Sequence, residues 1–582
     1  MLRYIEKNYC DPKALNSRDE DGNWHATSTG QFLCAIKMIA LGLKALGVKK
    51  GDRVGVLAQP STHWTLVDLA IMVAGAISVP LFANISDENF VYEVTETNVK
   101  ILFVEGNDPW GLFKRHEELF SVAIAFDAPQ HPKAKSLKEL ISLGEELDRE
   151  KPHCYSDLES EILPSDVATI IYTSGSTGMP KGAELTHENL MTVIDYPAFK
   201  WIVGEDRYLS VLPLAHVLGH CINLWMLVSG VSIYYTSDYR NLASICREVK
   251  PTFMVVVPRL LEKVYMKMAD QVQRAEGIKG KIGRFAFSLA KKEKLSVVDH
   301  LCMSIVDHLV YKRLRGALGG KLRIVISGGA PLNPHLYDFY ERIGIPIYEG
   351  WGLTEACPVT VNIPKAHKRG SVGIPVSGQT LALSAEGEIL VKGTLVMRGY
   401  YKKPEATAKA LDSDGWLHTG DRGSIDAKGF LTILGRMKEL YKTSTGEYVA
   451  PVPIEQLLGK HALIDSSLVV ADGHKFATCL LFPNMDAVMQ TKKDLGLEAQ
   501  SVDEFLQGKY VKSEMEKLIA SLNEHLNHWE QLHDYRIIND VLTVQSGELT
   551  PSMKIRREVV LNKYHQLIHE MYAQHQEEAF SG

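Results

Sequence analysis

The sequence predicts an α/β protein. A large, multi-lobed N-terminal domain with parallel sheets covered by helices is expected, with a small α+β domain behind it. Three observations carry that expectation. Strand-like apolar runs alternate with helix-like amphipathic runs up to about residue 434, the pattern of parallel strands joined by crossover helices. At 582 residues the chain exceeds one ordinary domain. Beyond Gly435 the alternation gives way to a shorter, mixed pattern. The expected division is therefore 1–435 and 436–582.

The elements follow in order. Residues 31–46 set Phe32, Leu33, Ile36, Ile39, Ala40, Leu43 and Leu46 on one helical face. Val54-Gly-Val-Leu57 reads as a strand, residues 66–76 as an apolar helix and Val79-Pro-Leu81 as the next strand. Further strands are expected at 101–104, 167–172, 208–212, 253–257 and 322–327. The most apolar stretch, 211–235, contains His216, His220, Asn223 and two glycines. A membrane span needs about 20 consecutive apolar residues, so a buried helix followed by a strand is the better reading.

Composition narrows the classes of function. An apolar content of 45% and a charged content of 23% suit a folded protein with large cores. The net charge of −6 gives no reason to expect nucleic acid as a partner. The eight cysteines are scattered, with no short-spaced pair for zinc or redox chemistry. Scattered thiols suit a reducing compartment. Met1-Leu-Arg-Tyr-Ile-Glu-Lys7 lacks the apolar core of a secretory signal, so a cytoplasmic protein is expected. Residues 264–294 carry eight basic against three acidic side chains. That is either a solvated helical face or a contact surface for an anionic substrate or for the anionic lipid of a membrane met peripherally.

The chemistry concentrates in Thr173-Ser-Gly-Ser-Thr-Gly-Met-Pro-Lys-Gly182, which follows the strand at 167–172. Glycines let the backbone approach a ligand, and successive N–H groups and hydroxyls make a donor surface for phosphate. A helix start is expected at Thr186. The common P-loop is excluded. Counting from Gly175, its second glycine would fall on Pro180, and Gly182 stands where a hydroxyl should follow Lys181.

Four further segments could serve a nucleotide. Ser327-Gly-Gly-Ala-Pro-Leu332 would let a flat base lie against backbone at a strand's end. Tyr348-Glu-Gly-Trp-Gly-Leu-Thr-Glu355 offers an aromatic face, a hydroxyl and a carboxylate. Mg²⁺ favours one or two such carboxylates alongside phosphate oxygens. Asp414-Gly-Trp-Leu-His-Thr-Gly-Asp421 ends in a carboxylate able to grip vicinal ribose hydroxyls. Gly435-Arg-Met-Lys-Glu-Leu-Tyr-Lys442 adds three positive charges. Near the C-terminus stands Gly547-Glu-Leu-Thr-Pro-Ser-Met-Lys-Ile-Arg-Arg557, whose Lys554 would in isolation be a surface lysine.

Together, in this order and at these separations, the segments resemble the adenylate-forming superfamily over roughly residues 25–565, most closely its long-chain fatty acyl-CoA synthetases. Asp414 to Gly423, continuing through Gly429-Phe-Leu431 to Gly435-Arg-Met-Lys-Glu-Leu440, is similar to their fatty-acid-associated motif. Val257-Pro-Arg-Leu-Leu-Glu-Lys-Val264 and the helical insertion after it are also typical of that group. Departures are Trp351 where the family usually has tyrosine, and the absence of a frequent Gly-Gly pair after Lys438.

The resemblance implies a ligase that activates a fatty carboxylate with MgATP and passes the acyl group from acyl-AMP to coenzyme A. It implies that Thr173 and Glu355 bind Mg²⁺, and that Ser174, Gly175, Ser176, Thr177, Gly178 and Lys181 cradle the β- and γ-phosphates. Gly329, Glu349, Gly350 and Trp351 would hold adenine, and Asp421 and Arg436 the ribose. Lys442 and Thr354 complete the implied nucleotide site. Lys554 would bridge the carboxylate and the α-phosphate, and His216 would stand at the mouth of the acyl pocket. The implied partners are ATP, coenzyme A and a fatty acid, and the small domain is mobile about a hinge at Lys438. A fatty acyl-AMP ligase serving a carrier protein, and an inactive lipid-binding or scaffold homologue, stand as alternatives.

Overall fold

The computed structural model describes the whole chain except residues 20, 127, 128, 130, 174–178, 195–198, 293, 294, 438–440, 445, 446, 460, 551, 552 and 582. Two mixed sheets organise the large N-terminal part. The first runs, in spatial order, Gly399–Tyr400, Lys181–Thr186, Val167–Thr173, Ile77–Leu81, Arg53–Leu57, Ile101–Val104, Val122–Ala125 and Ala134–Ser136. Its strands split their side chains between two cores. Ala168, Ile171 and Phe103 face one, with Phe32 and Trp64 from the helices Thr29–Ala45 and Thr62–Val73. Val167, Ile170, Leu102 and Val104 face the other, with Phe90 and Phe113. Burial on both faces explains why these strands read as continuous apolar runs.

The second sheet is ordered Ile374–Pro375, Ala356–Val361, Ile347–Leu353, Ile324–Ser327, Phe253–Val256, Arg207–Ser210, Ser232–Tyr235, Leu15–Arg18 and Trp24–Thr27. Residues 211–235 form the buried helix Val217–Val228 and the strand Ser232–Tyr235, as their composition suggested. Among the described residues no helix is long and apolar enough to cross a membrane.

One local expectation needs correction. The sheets are parallel only in their middles. Val167–Thr173 pairs antiparallel with Lys181–Thr186, and Ile347–Leu353 antiparallel with Ala356–Val361. A separate sheet of Gln379–Leu383, Glu388–Gly393, Leu417–Ile425 and Leu431–Arg436 is antiparallel throughout. Lys181 therefore opens a strand, and the helix His187–Ile194 begins one residue after Thr186. Thr186 caps it, at the helix start the sequence indicates. The Asn189 N–H donates to the Thr186 hydroxyl, and the Thr186 N–H to the Asn189 side chain.

The smaller C-terminal domain builds on the sheet Ile464–Val470, Ala477–Pro483 and Leu532–Ile537. One face packs Val469, Cys479 and Leu481 on the helix Lys509–Asn523, and the other packs Leu468, Leu480 and Phe482 near Tyr572. Contacts between this domain and the large one include an ion pair and a hydrogen bond among the described residues. The Arg259 guanidinium pairs with Asp465 at 2.8 Å, and the Gln456 amide donates to the Pro331 carbonyl at 3.0 Å.

Candidate active site

Strand ends and tight turns deliver the candidate residues to one place. The hairpin Val167–Thr173/Lys181–Thr186 sets Thr173 opposite Lys181. The parallel pairing of Ile324–Ser327 with Ile347–Leu353 sets Ser327 beside Glu349. Thr354 and Glu355 form the turn of the next hairpin. Asp421 and Arg436 face each other across an antiparallel pair. His216 caps the helix Val217–Val228. From the small domain comes Lys554, in a loop closed by Thr550, whose N–H donates to the Lys554 carbonyl at 2.8 Å.

These groups share a cleft of about 1430 Å³. It is lined by Thr173, Lys181, His216, Gly329, Glu349, Gly350, Trp351, Thr354, Glu355, Asp421, Arg436 and Lys554. Lys442 does not line it. The short strand Tyr441–Lys442 pairs with Tyr448–Val449, and the Lys442 ammonium lies 5.9 Å from the Tyr448 ring centre. Ser174, Gly175, Ser176, Thr177, Gly178 and Lys438 lie outside the described residues.

One wall of the cleft is polar. Asp421 is buried; its Oδ2 accepts from the Trp351 indole N–H at 3.0 Å, and its Oδ1 is ion-paired with the Arg436 guanidinium at 3.1 Å. The hydrogen bond and the ion pair together restrain the carboxylate, so Trp351 acts on Asp421 as well as offering a ring face. Thr419 steadies the same turn, receiving the Asp421 N–H at 3.1 Å.

The Tyr400 hydroxyl donates to Glu355 Oε1 at 2.5 Å, and the Lys181 ammonium lies 4.8 Å from the Tyr400 ring centre. Burial, then the neighbouring carboxylate, push the Tyr400 phenol pKa up and keep it a donor. No sequence motif had pointed to Tyr400. It reaches the cleft because Gly399–Tyr400 pairs with Lys181–Thr186.

Apolar lining comes from Phe199, Val217, Ile222, Trp225, Ile326 and Val361. His216 stands with them. Its Nδ1 accepts the Leu218 N–H at 3.2 Å, so the neutral ring carries its proton on Nε2. Burial, then the Lys554 charge, push its pKa down to about 4. At neutral pH it is a hydrogen-bond donor without charge. Glu349 behaves in the opposite sense, because burial raises its carboxyl to about 7.

Apolar lining meeting lysines, an oriented aspartate and the carboxyls of Glu349 and Glu355 fits a nucleotide beside an apolar acid. The sequence pattern of the AMP-binding enzyme family matches residues 4–401, and that of its C-terminal domain matches residues 439–576. The chain belongs to the AMP-binding enzyme family. Among relatives of this AMP-binding enzyme, the long-chain-fatty-acid–CoA ligase FadD15 of Mycobacterium tuberculosis is 35% identical, over 95% of this chain and 93% of its own. The long-chain-fatty-acid–CoA ligase ACSBG2 of Gallus gallus is 28% identical, over 97% and 80%. The fold matches the adenylation domain of a carboxylic acid reductase from Segniliparus rugosus, solved with AMP and a co-purified carboxylic acid. Its TM-score is 0.76 at 21% identity, over 98% and 93% of the chains. It also matches the o-succinylbenzoate coenzyme A synthetase of Bacillus subtilis, solved with ATP and magnesium, with a TM-score of 0.66 at 19% identity, over 96% and 98%.

Proposed function

We propose that this AMP-binding enzyme is a long-chain fatty acid–CoA ligase, forming acyl-AMP from a fatty carboxylate and ATP and then the thioester. The observation that carries the reading is the meeting of Lys554 and His216 in a cleft with apolar and nucleotide-suited lining. In the first half-reaction a carboxylate oxygen attacks the α-phosphorus and pyrophosphate leaves. Two anions must approach, so positioning and charge neutralisation dominate the catalysis. The neutral His216 donates from Nε2 to the carboxylate without withdrawing its charge. Lys554 bridges that carboxylate and the α-phosphate. Lys181 and the loop 174–178 hold the outer phosphates, and Asp421, fixed by Trp351 and Arg436, takes the ribose hydroxyls. Gly329, Glu349 and Gly350 border the base.

The donor set suits Mg²⁺. Glu355 supplies one carboxylate and Thr173 one hydroxyl, and no cluster of three or more His, Cys, Asp or Glu exists among the described residues. That is the donor set of an ion shared with substrate phosphates rather than caged by protein. Mg²⁺ bound there neutralises phosphate charge, and Tyr400 orients Glu355 to receive it.

In the second half-reaction the coenzyme A thiolate attacks the acyl carbon and AMP leaves. Lys554 occupies the cleft in the arrangement described here, which suits the first half-reaction. Rotation about Lys438, with the division at 435/436, opens the thiol's path. The small-molecule partners are thus a fatty acid, ATP and coenzyme A, with peripheral contact at an anionic membrane.

The test is a product assay with ATP, Mg²⁺ and a ladder of fatty acids, with coenzyme A or an acyl carrier protein as acceptor. AMP, pyrophosphate and acyl-CoA in equal amounts, best with long chains, are expected. Thioester formed only on the carrier protein would overturn the acceptor, and ADP as product would overturn the reaction class.

A further inference from the structure

The helical insertion carries an apolar face turned to solvent. Val297, Leu301 and Ile305 recur every fourth residue on the helix Val297–Val306, with Val298 beside them. Their exposures are 80%, 72%, 64% and 67%. Leu309 continues the exposed set, and the neighbouring helix Gly277–Ala290 adds exposed Ile278 and Phe285. The helix Val297–Val306 buries Asp299 and Val306, so it is anchored on one side and bare on the other. Tyr311 ties it down by donating to the Ala286 carbonyl at 2.9 Å. Single exposed apolar residues are ordinary, but a stripe of this kind marks an interaction face.

The charges around it have one sign. Residues 277–316 hold nine Lys or Arg against three acids, in a chain whose net charge is −6. Two of those acids are engaged within the insertion. Asp299 is held by Lys292 at 2.8 Å and Asp307 by Arg315 at 2.5 Å. Lys291 lies 5.5 Å from the Tyr265 ring centre, so Lys291 and Lys292 are committed locally, and Lys294 is outside the described residues. Lys279, Lys281, Lys312 and Arg313 are exposed and have no carboxylate within ion-pair reach among the described residues.

We infer that the helix Val297–Val306, with its continuation to Tyr311, is a docking face for an anionic lipid bilayer. Apolar side chains flanked by lysine and arginine are the pattern of a helix lying in the plane of a membrane interface. Apolar side chains enter the acyl region while the cations meet lipid phosphates, whose surface potential draws basic residues. The geometry stands without any assumption about the reaction. The benefit to the enzyme, capture of an acid already dissolved in the bilayer, rests on the fatty-acid reading above.

The experiment is co-sedimentation of the full chain with phosphatidylcholine vesicles, with and without phosphatidylglycerol, across a salt series. Strong binding is expected only with phosphatidylglycerol at low salt, falling as salt shortens the reach of charge to about 8 Å at physiological strength. Leu301→Glu with Ile305→Glu should weaken it on the order of a hundredfold. Changing Lys279, Lys281, Lys312 and Arg313 to Gln should weaken it comparably and flatten the salt dependence. Both variants should keep the wild-type unfolding midpoint and should adenylate a short, water-soluble acid at the wild-type rate. Failure of all adenylation with vesicle binding intact would remove the ligase reading and leave the docking face standing. No binding at low salt, or equal binding by the double glutamate variant, would overturn the proposal. So would a wild-type dimer that this variant splits, without lipid binding, because the occupant would then be a second copy.

Discussion

Tyr400 links two charges that the site keeps apart. It donates to Glu355 while its ring receives the Lys181 ammonium, so it positions the carboxylate proposed for Mg²⁺ and the lysine proposed for phosphate. Tyr400→Phe keeps the ring and loses the hydroxyl. We expect about a tenfold weaker dependence on Mg²⁺, the scale of losing one partner that orients a metal-binding group. Packing and the unfolding midpoint should change little. A Mg²⁺ titration of the first half-reaction that is identical for both proteins would refute the positioning role.

Glu349 yields a pH signature. Burial raises its pKa from 4.5 in the unfolded chain to about 7 in the fold. The folded state therefore holds the proton that the unfolded state releases. Its contribution to stability is full below 4.5, declines as pH rises, and is lost above 7. Glu349→Gln mimics the protonated form. It should match the wild type near pH 4.5 and exceed it by about 3 kcal/mol above pH 7. Denaturant unfolding at several pH values measures this, and a difference that does not vary with pH would exclude it.

At the scale of elements, Gly373 joins two sheets. Its carbonyl accepts the Leu431 N–H at 2.9 Å, and the following Ile374–Pro375 pairs with Thr360 and Val361. It adopts φ +92°, and a Cβ there would lie 2.0 Å from the Val361 carbonyl carbon. Gly373→Ala should cost at least about 2 kcal/mol, combining positive-φ strain with overpacking against backbone. An unchanged unfolding midpoint would show that the junction relaxes freely.

The same elements explain what the sequence revealed. Val167–Thr173 and Ile101–Val104 were legible because both faces are buried, leaving an unbroken apolar run. The strand Leu417–Ile425 was not, although alternate residues point inward. Its inward set includes Thr419 and Asp421, whose partners are hydrogen-bond groups rather than core. Among site residues, Lys181, Glu355, Asp421 and Lys554 were legible as members of spaced motifs. Tyr400 was hidden because strand pairing, and not sequence proximity, brings it to Glu355, 45 residues away. The docking stripe at Val297, Leu301 and Ile305 has helical spacing, but only the fold shows that this face has no core to cover.

At the scale of the whole molecule, two domains share one cleft. Arg259–Asp465 and Gln456–Pro331 hold the small domain where Lys554 and His216 line one cleft. These two contacts are solvent-accessible, of the kind that separate readily. The hinge proposed at Lys438 would let them do so. Lys438→Pro fixes φ, so it should leave acyl-AMP formation nearly intact while thioester formation falls on the order of tenfold or more. Unchanged thioester formation in that variant would move the hinge elsewhere.

Lys554→Ala tests the central claim most directly, with the two half-reactions measured separately. Acyl-AMP formation from fatty acid and ATP, followed as pyrophosphate release, should fall by ~10²-fold or more, the scale of losing one transition-state charge contact. Conversion of supplied acyl-AMP and coenzyme A to thioester should stay near the wild-type rate. Equal losses in both half-reactions, or no loss in the first, would contradict the account.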